Sequence, residues 1–172
     1  MGGSQVSLRV IKSALAACAA LYALLAGIGN LTDYAANFPF VQHVLMMDTT
    51  FQHPGVMWRA IGQPAVHHAV FALIIIVEFT AGVVAGLGAV RMFASRRDAR
   101  RFAAAKSLAA SGLLLGVLLW FGGFLVGAGE WFMMWQSERF NAQQAAFQYA
   151  AAFLLVLTIV LLPEDARDLP AD

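Results

Sequence analysis

Two sets of residues in this sequence have side chains suited to chemistry, and position defines both. The first is a single carboxyl. Glu78 stands near the middle of a run from Val70 to Val90 that is otherwise apolar apart from Thr80 and the glycines Gly82, Gly86 and Gly88. A carboxyl held at that depth in hydrocarbon is strongly disfavoured unless it is neutral, paired or facing water. Three roles are open to it: a protonated glutamate hydrogen-bonded between helices to fix their register, a proton-relay or ion-path group, or a contact to another membrane subunit. Tyr22 and Trp120 fall at similar depth in neighbouring apolar runs and carry polar hydrogens that could meet it. The register role leads. A relay needs a polar path on both sides of the acid, and the inner half of the apolar runs offers only Ser107, Ser111 and Thr158.

The second set lies in loops on the outer side: His43, His53, His67 and His68, with Asp33, Asp48 and Glu130 and the methionines Met46, Met47 and Met57. Imidazole suits zinc and copper, and thioether suits Cu(I). No histidine pair stands at i, i+4, and a lone cysteine, Cys18, leaves no Cys-based motif, so no metal and no other cofactor is assigned. Haem b is disfavoured because the apolar runs themselves lack histidine. The same outer side carries Asn30, Arg59, Trp131 and Trp135. The two tryptophans stand one helical turn apart, the spacing of belt residues that anchor a helix end at a membrane surface; a ligand-stacking surface is the lesser alternative. Arg59 and Arg139 are expected to pair with Asp33, Asp48, Glu130 or Glu138 and tie the outer loops together. Asn30-Leu31-Thr32 fits a glycosylation acceptor but lies at the membrane edge. There is no nucleophile elbow, phosphate-binding glycine loop or dinucleotide fingerprint, so no catalytic residue is assigned and the balance lies against an enzyme.

The elements that must position these groups follow from composition. Of the 172 residues 60% are hydrophobic and 12% charged, with mean hydropathy +0.71, against roughly a quarter charged in soluble domains. Four long apolar runs predict spans at about 10–32, 67–91, 106–129 and 142–163, each long enough to cross hydrocarbon about 30 Å thick. The expectation is an all-α, integral membrane four-helix bundle forming a single domain over residues 1–172. Arg9 and Lys12 ahead of the first run resemble a signal peptide, but Lys12 leaves too short an apolar core before Cys18, so a retained first span is expected. Arg9, Lys12, Arg91, Arg96, Arg97, Arg100, Arg101, Lys106 and Arg167 fall on one side and only Arg59 and Arg139 on the other. Nine against two puts both termini in the cytoplasm of a bacterial inner membrane, with the Arg-rich loop solvated at the headgroups. Nucleic acid is not an expected partner; the lipid bilayer is, and other membrane proteins are possible ones, with oligomeric state open.

Small residues should bring the spans together: Ala19, Ala23 and Gly27 on the first, Gly82 and Gly86 on the second, Gly112 and Gly116 on the third with Gly123 and Gly127 continuing outward. Glu78 shares a face with Gly82 and Gly86, so its carboxyl should point at a neighbouring helix. Cys18 is expected to be a buried packing thiol. In the first outer loop the stretch from Asn37 to Met47 should form a short helix after Pro39. With Phe40, Val41, Val44 and Leu45 on one side, that helix would lie in the membrane interface.

Two stretches carry a resemblance. Gly29-Asn30-Leu31-Thr32-Asp33-Tyr34 continues through Asn37, Val41, His43-Val44-Leu45-Met46-Met47-Asp48-Thr49-Thr50 and Trp58-Arg59-Ala60-Ile61. The second stretch is Gly127-Ala128-Gly129-Glu130-Trp131-Phe132-Met133-Met134-Trp135-Gln136-Ser137, with Asn141, Gln143 and Ala146-Phe147. Together they resemble a bacterial family of predicted small integral membrane proteins. Where that family has a second glycine before the Glu-Trp pair, this chain has Ala128-Gly129. The resemblance implies four transmembrane helices and membrane residence over nearly the whole chain. It implies no activity, catalytic residue or binding residue. The function expected is an accessory or scaffolding role. The alternatives are a proton-linked transporter or conduction element using Glu78, and an outer-face metal or redox site built from His, Asp and Glu.

Overall fold

A computed structural model describes residues 2–163, with side chains from residue 6. Arg167 and the rest of the acidic tail after Pro163 lie outside the described residues. The elements are α1 (Gly2–Thr32), α2 (Tyr34–Met46), α3 (Pro64–Ala94), α4 (Ala99–Val117, running directly into a wide-turned π segment, Leu118–Trp131) and α5 (Gln143–Leu161). Short 3-10 turns, Met57–Arg59 and Met134–Gln136, lie between them. The described residues contain no strand. Four helical stretches are long and apolar enough to cross a membrane: Val6–Thr32, Pro64–Ala94, Ala99–Trp131 and Gln143–Leu161.

Local chemistry explains where the helices exceed the apolar runs. Pro64 sits in the first turn of α3, where its missing N–H costs nothing, so the helix starts ahead of His67. Asp98 caps α4 by accepting the Arg101 N–H at 3.0 Å, which draws part of the Arg-rich loop into the helix. Tandem Gly122 and Gly123 fall inside the π segment, whose last turn closes through the Phe132 N–H to Gly127 C=O bond at 3.0 Å.

α3 is the central helix, packed on α1 and α4, while α5 closes against α4, the π segment and α1. Glycines make the close approaches. A methyl group on Gly88 would fall on the backbone of Ala109, and one on Gly112 on the backbone of Ala85, so α3 and α4 touch through two reciprocal glycine–alanine contacts. Gly82 faces α1, where an added carbon would lie 2.9 Å from the Ala20 carbonyl, and Gly116 makes room for the Phe153 ring. The expected stripes are redistributed. On α3 the tight positions are Gly82 and Gly88, whereas Gly86 has ordinary space, 3.6 Å from Ala20 Cβ. Gly123 and Gly127 meet no other helix, because the π segment turns them toward an open cavity. Cys18 is exposed, contrary to the buried thiol expected: the inward face of α1 runs through Ala16, Ala19, Ala20 and Ala23.

The two ends of the bundle differ in chemistry. At the basic end the Lys12 and Lys106 ammonium groups both donate to the Leu162 carbonyl, at 2.8 and 2.6 Å, and Arg9 donates to the Arg96 carbonyl at 3.4 Å while lying over the Phe102 ring. All three side chains are buried, so these charges also join the ends of α1, α4 and α5. At the opposite, aromatic end, α2 begins at Tyr34, before the expected start, and carries Pro39 within it. Its Val41 and Leu45 are buried against Phe71 and Ile75 of α3. The helix stops at Met47, whose backbone is left-handed (φ 52°), and the Ile61 N–H pins the returning chain to the Leu45 carbonyl at 2.8 Å.

Candidate functional site

Glu78 is buried, with 1% of its surface exposed, on the face of α3 that meets α1. Gly27 of α1 lies directly opposite, and an added carbon there would come within 3.3 Å of both Glu78 Cβ and the Phe79 ring. One turn further along α1, Asn30 reaches back and its Nδ2 donates to both carboxyl oxygens, at 2.9 and 3.0 Å. Sequence reasoning had placed Asn30 with the outer polar residues. The available signal was spacing: positions 27 and 30 share a helix face, so a gap and a donor were offered to the same neighbour.

Tyr22 and Trp120 do not donate to this carboxyl. They flank Tyr149 of α5, with ring centroids 4.1 Å apart on each side and planes within 17° of parallel. Trp120 continues the stack onto Phe124 at 4.8 Å, and wider contacts lead through Phe40 of α2 to Phe140 and then to His43. Stacking of flat apolar faces between helices wins over a single hydrogen bond because it buries more surface. Tyr149 is the ring that sequence reasoning missed, and an isolated tyrosine in an alanine-rich span was its only trace.

The polar residues of the aromatic end do not converge. His43 Nδ1 lies 2.8 Å from an Asp48 oxygen, with the ring stacked on Phe140 at 4.3 Å. His67 is fully buried in the first turns of α3; its Nε2 donates to the Ile61 carbonyl at 2.7 Å, and Nδ1 has no partner. His68 Nδ1 meets the Tyr34 hydroxyl at 2.6 Å, and its ring lies on Phe38. His53 is exposed and accepts the Gly55 N–H at 3.3 Å. Asp33, at the break between α1 and α2, uses its backbone carbonyl to accept from Ala36 and Asn37 and makes no side-chain cap. Glu130 is exposed. Among the described residues no three His, Cys, Asp or Glu side chains come together as a metal site would require.

Arg59 departs from expectation. It forms no ion pair with Asp33, Asp48, Glu130 or Glu138; its guanidinium lies between the Trp131 and Trp58 rings, 4.7 and 5.6 Å from their centroids, and donates to the Trp131 carbonyl at 3.3 Å. Its Nε is buried without a partner. Arg139 likewise lies over Phe140 at 5.3 Å. The two loops at the aromatic end are joined by other groups: the Thr49 and Ser137 hydroxyls at 2.9 Å, Gln136 accepting the Phe51 N–H at 3.0 Å, and the edge-on contact of Phe51 with Trp135.

Residues 8–163 match a family described as predicted small integral membrane protein. No curated protein and no solved structure matches the chain.

Proposed function

This chain belongs to the family of predicted small integral membrane proteins, and we propose that it serves in a bacterial inner membrane as a non-enzymatic accessory or scaffolding element, its outer aromatic face meeting other membrane components. We orient the basic end and both termini toward the cytoplasm on the nine-to-two distribution of lysine and arginine. We treat residues 1–172 as one four-span unit.

One observation carries the role: the central acid of the bundle is closed upon a single partner. Asn30 occupies both oxygens of Glu78. From there to Ser13 the interior is alanine and large apolar side chains, among them Ala81, Ala85, Leu113, Phe153 and Leu157. Ser107, Ser111 and Thr158, the groups a relay would have used, all face outward, and Ser111 and Thr158 bond to carbonyls of their own helices. The groups free to meet a partner are at the aromatic end, where Phe51 and Trp58 are 72% and 70% exposed.

Two measurements test the role. Photo-crosslinking residues placed at Phe51 and Trp58 in native membranes should give protein adducts that a probe at the lipid-facing Leu87 does not; equal labelling at all three positions would remove the docking surface. Proteoliposomes holding a pH-sensitive dye should show no proton flux above empty vesicles under an imposed potential. A flux lost in Glu78→Gln would replace the scaffold with conduction.

A further inference from the structure

A cavity of about 380 Å³ opens on the side of the bundle between α2, α3 and the π segment, in the half nearer the aromatic end. Its wall is almost wholly apolar: Val44, Leu73, Val77, Leu119 and Gly123 line it, and Phe132 stands at its outer end. Leu73 and Leu118, both on its lining, are more than half exposed, so in a membrane the opening faces acyl chains. The π segment creates this space, because Gly123 and Gly127 turn hydrogen atoms toward it and meet no other helix.

Its dimensions limit the occupant. The lining follows α3 from Val70 to Val77, about 10 Å at 1.5 Å per residue, and on the opposite wall it runs from Leu115 to Phe132, so 380 Å³ makes an elongated slot narrower in section than a helix about 10 Å across. An extended hydrocarbon chain fits that section. Arg59 is not on the lining but is bonded to the residue next to Phe132, the lining ring at the outer end. Its guanidinium donates to the Trp131 carbonyl, and two residues further on Ile61 joins Phe132 in packing against the cluster of Val41, Leu45, Phe71 and Ile75. Among the described residues its guanidinium has that carbonyl at 3.3 Å as its one hydrogen-bond partner and forms no ion pair. A cation held by two tryptophans just ahead of a membrane-spanning helix, joined through Trp131 to the end of an apolar slot, complements a molecule with one anionic phosphate and a long chain.

We propose that this cavity is a binding site for one phospholipid of the outer leaflet, with an acyl chain in the slot and the phosphodiester on Arg59. The site is independent of the scaffolding role and stands or falls separately.

Delipidated protein in mild detergent, titrated with phosphatidylglycerol and examined by native mass spectrometry, should retain one lipid per chain. Diacylglycerol with the same chains, and inorganic phosphate, should bind at least about tenfold more weakly, since each lacks half of the recognition. Gly123→Leu fills the slot where an added carbon meets nothing closer than 3.7 Å, so it should fold normally and lose the lipid. Arg59→Gln should lower affinity for phosphatidylglycerol about tenfold and leave diacylglycerol binding unchanged. Retention unaltered in both variants would overturn the proposal. So would equal binding of diacylglycerol and phosphatidylglycerol, or a dimer of the chain that Gly123→Leu abolishes.

Discussion

At the residue scale the decisive pair is Glu78 with Asn30. Each group alone would be a polar burden inside an apolar bundle, and together they satisfy one another across α1 and α3 at 2.9 and 3.0 Å. Removing one member leaves the other unsatisfied, whereas Gln still offers an oxygen to the Asn30 amide. Thermal or denaturant unfolding in detergent should therefore show Asn30→Ala and Glu78→Leu each destabilised by about 1–2 kcal/mol, with Glu78→Gln within about 0.5 kcal/mol of the parent. The double variant Asn30→Ala/Glu78→Leu should lose less than the sum of the single losses, because neither then strands a partner. Additive losses would show that the two side chains do not act together. Arg59 teaches a related lesson. A cation beside several outer acids invited ion pairing, yet two tryptophan faces hold it, since the chain returning from Met57 to Ile61 brings it to Trp131 and not to a carboxylate.

At the scale of elements, small residues decide which helices touch. The counts of glycine were legible, but their division between partners was not: Gly82 serves α1, Gly88 serves α4, and Gly86 serves neither closely. Helix rotation settles this, and a pattern of i, i+4 positions leaves it open by nearly a turn. Gly88→Ala should destabilise the bundle by about 1–3 kcal/mol, because the added methyl meets the Ala109 backbone, which cannot rotate away. Gly86→Ala should be neutral or gain up to about 1 kcal/mol from helix propensity. Matching losses at both sites, measured by the same unfolding curves, would contradict the α3–α4 contact. The π segment was likewise hidden from sequence periodicity. Gly123 and Gly127 read as helix-packing residues, although they line a cavity.

At the scale of the whole molecule, the chain has one end knit by buried cations and another covered by aromatic residues and α2. Lys12 and Lys106 converge on the Leu162 carbonyl, so the termini of three helices are fixed by two of the cations on which the proposed orientation rests. In a Cys18→Ala background, single cysteines at Ser95 and Glu138 should label oppositely with a membrane-impermeant maleimide applied from outside, Glu138 reacting and Ser95 not. Both positions are off the buried core, whereas Ser137 is 4% exposed and would fail for a different reason. Equal labelling would undo the proposed orientation.

The sequence by itself determined the solvent, the helix class and the four crossings, because hydrocarbon imposes length and apolarity on each span independently of its neighbours. It also marked Glu78 as the position at odds with that solvent. Only the tertiary structure decided what answers Glu78, that Tyr22 and Trp120 stack on Tyr149, and that Gly123 and Gly127 open a slot. These depend on the rotation and register of one helix against another. A bilayer exerts no preference there; close contact between particular side chains supplies it.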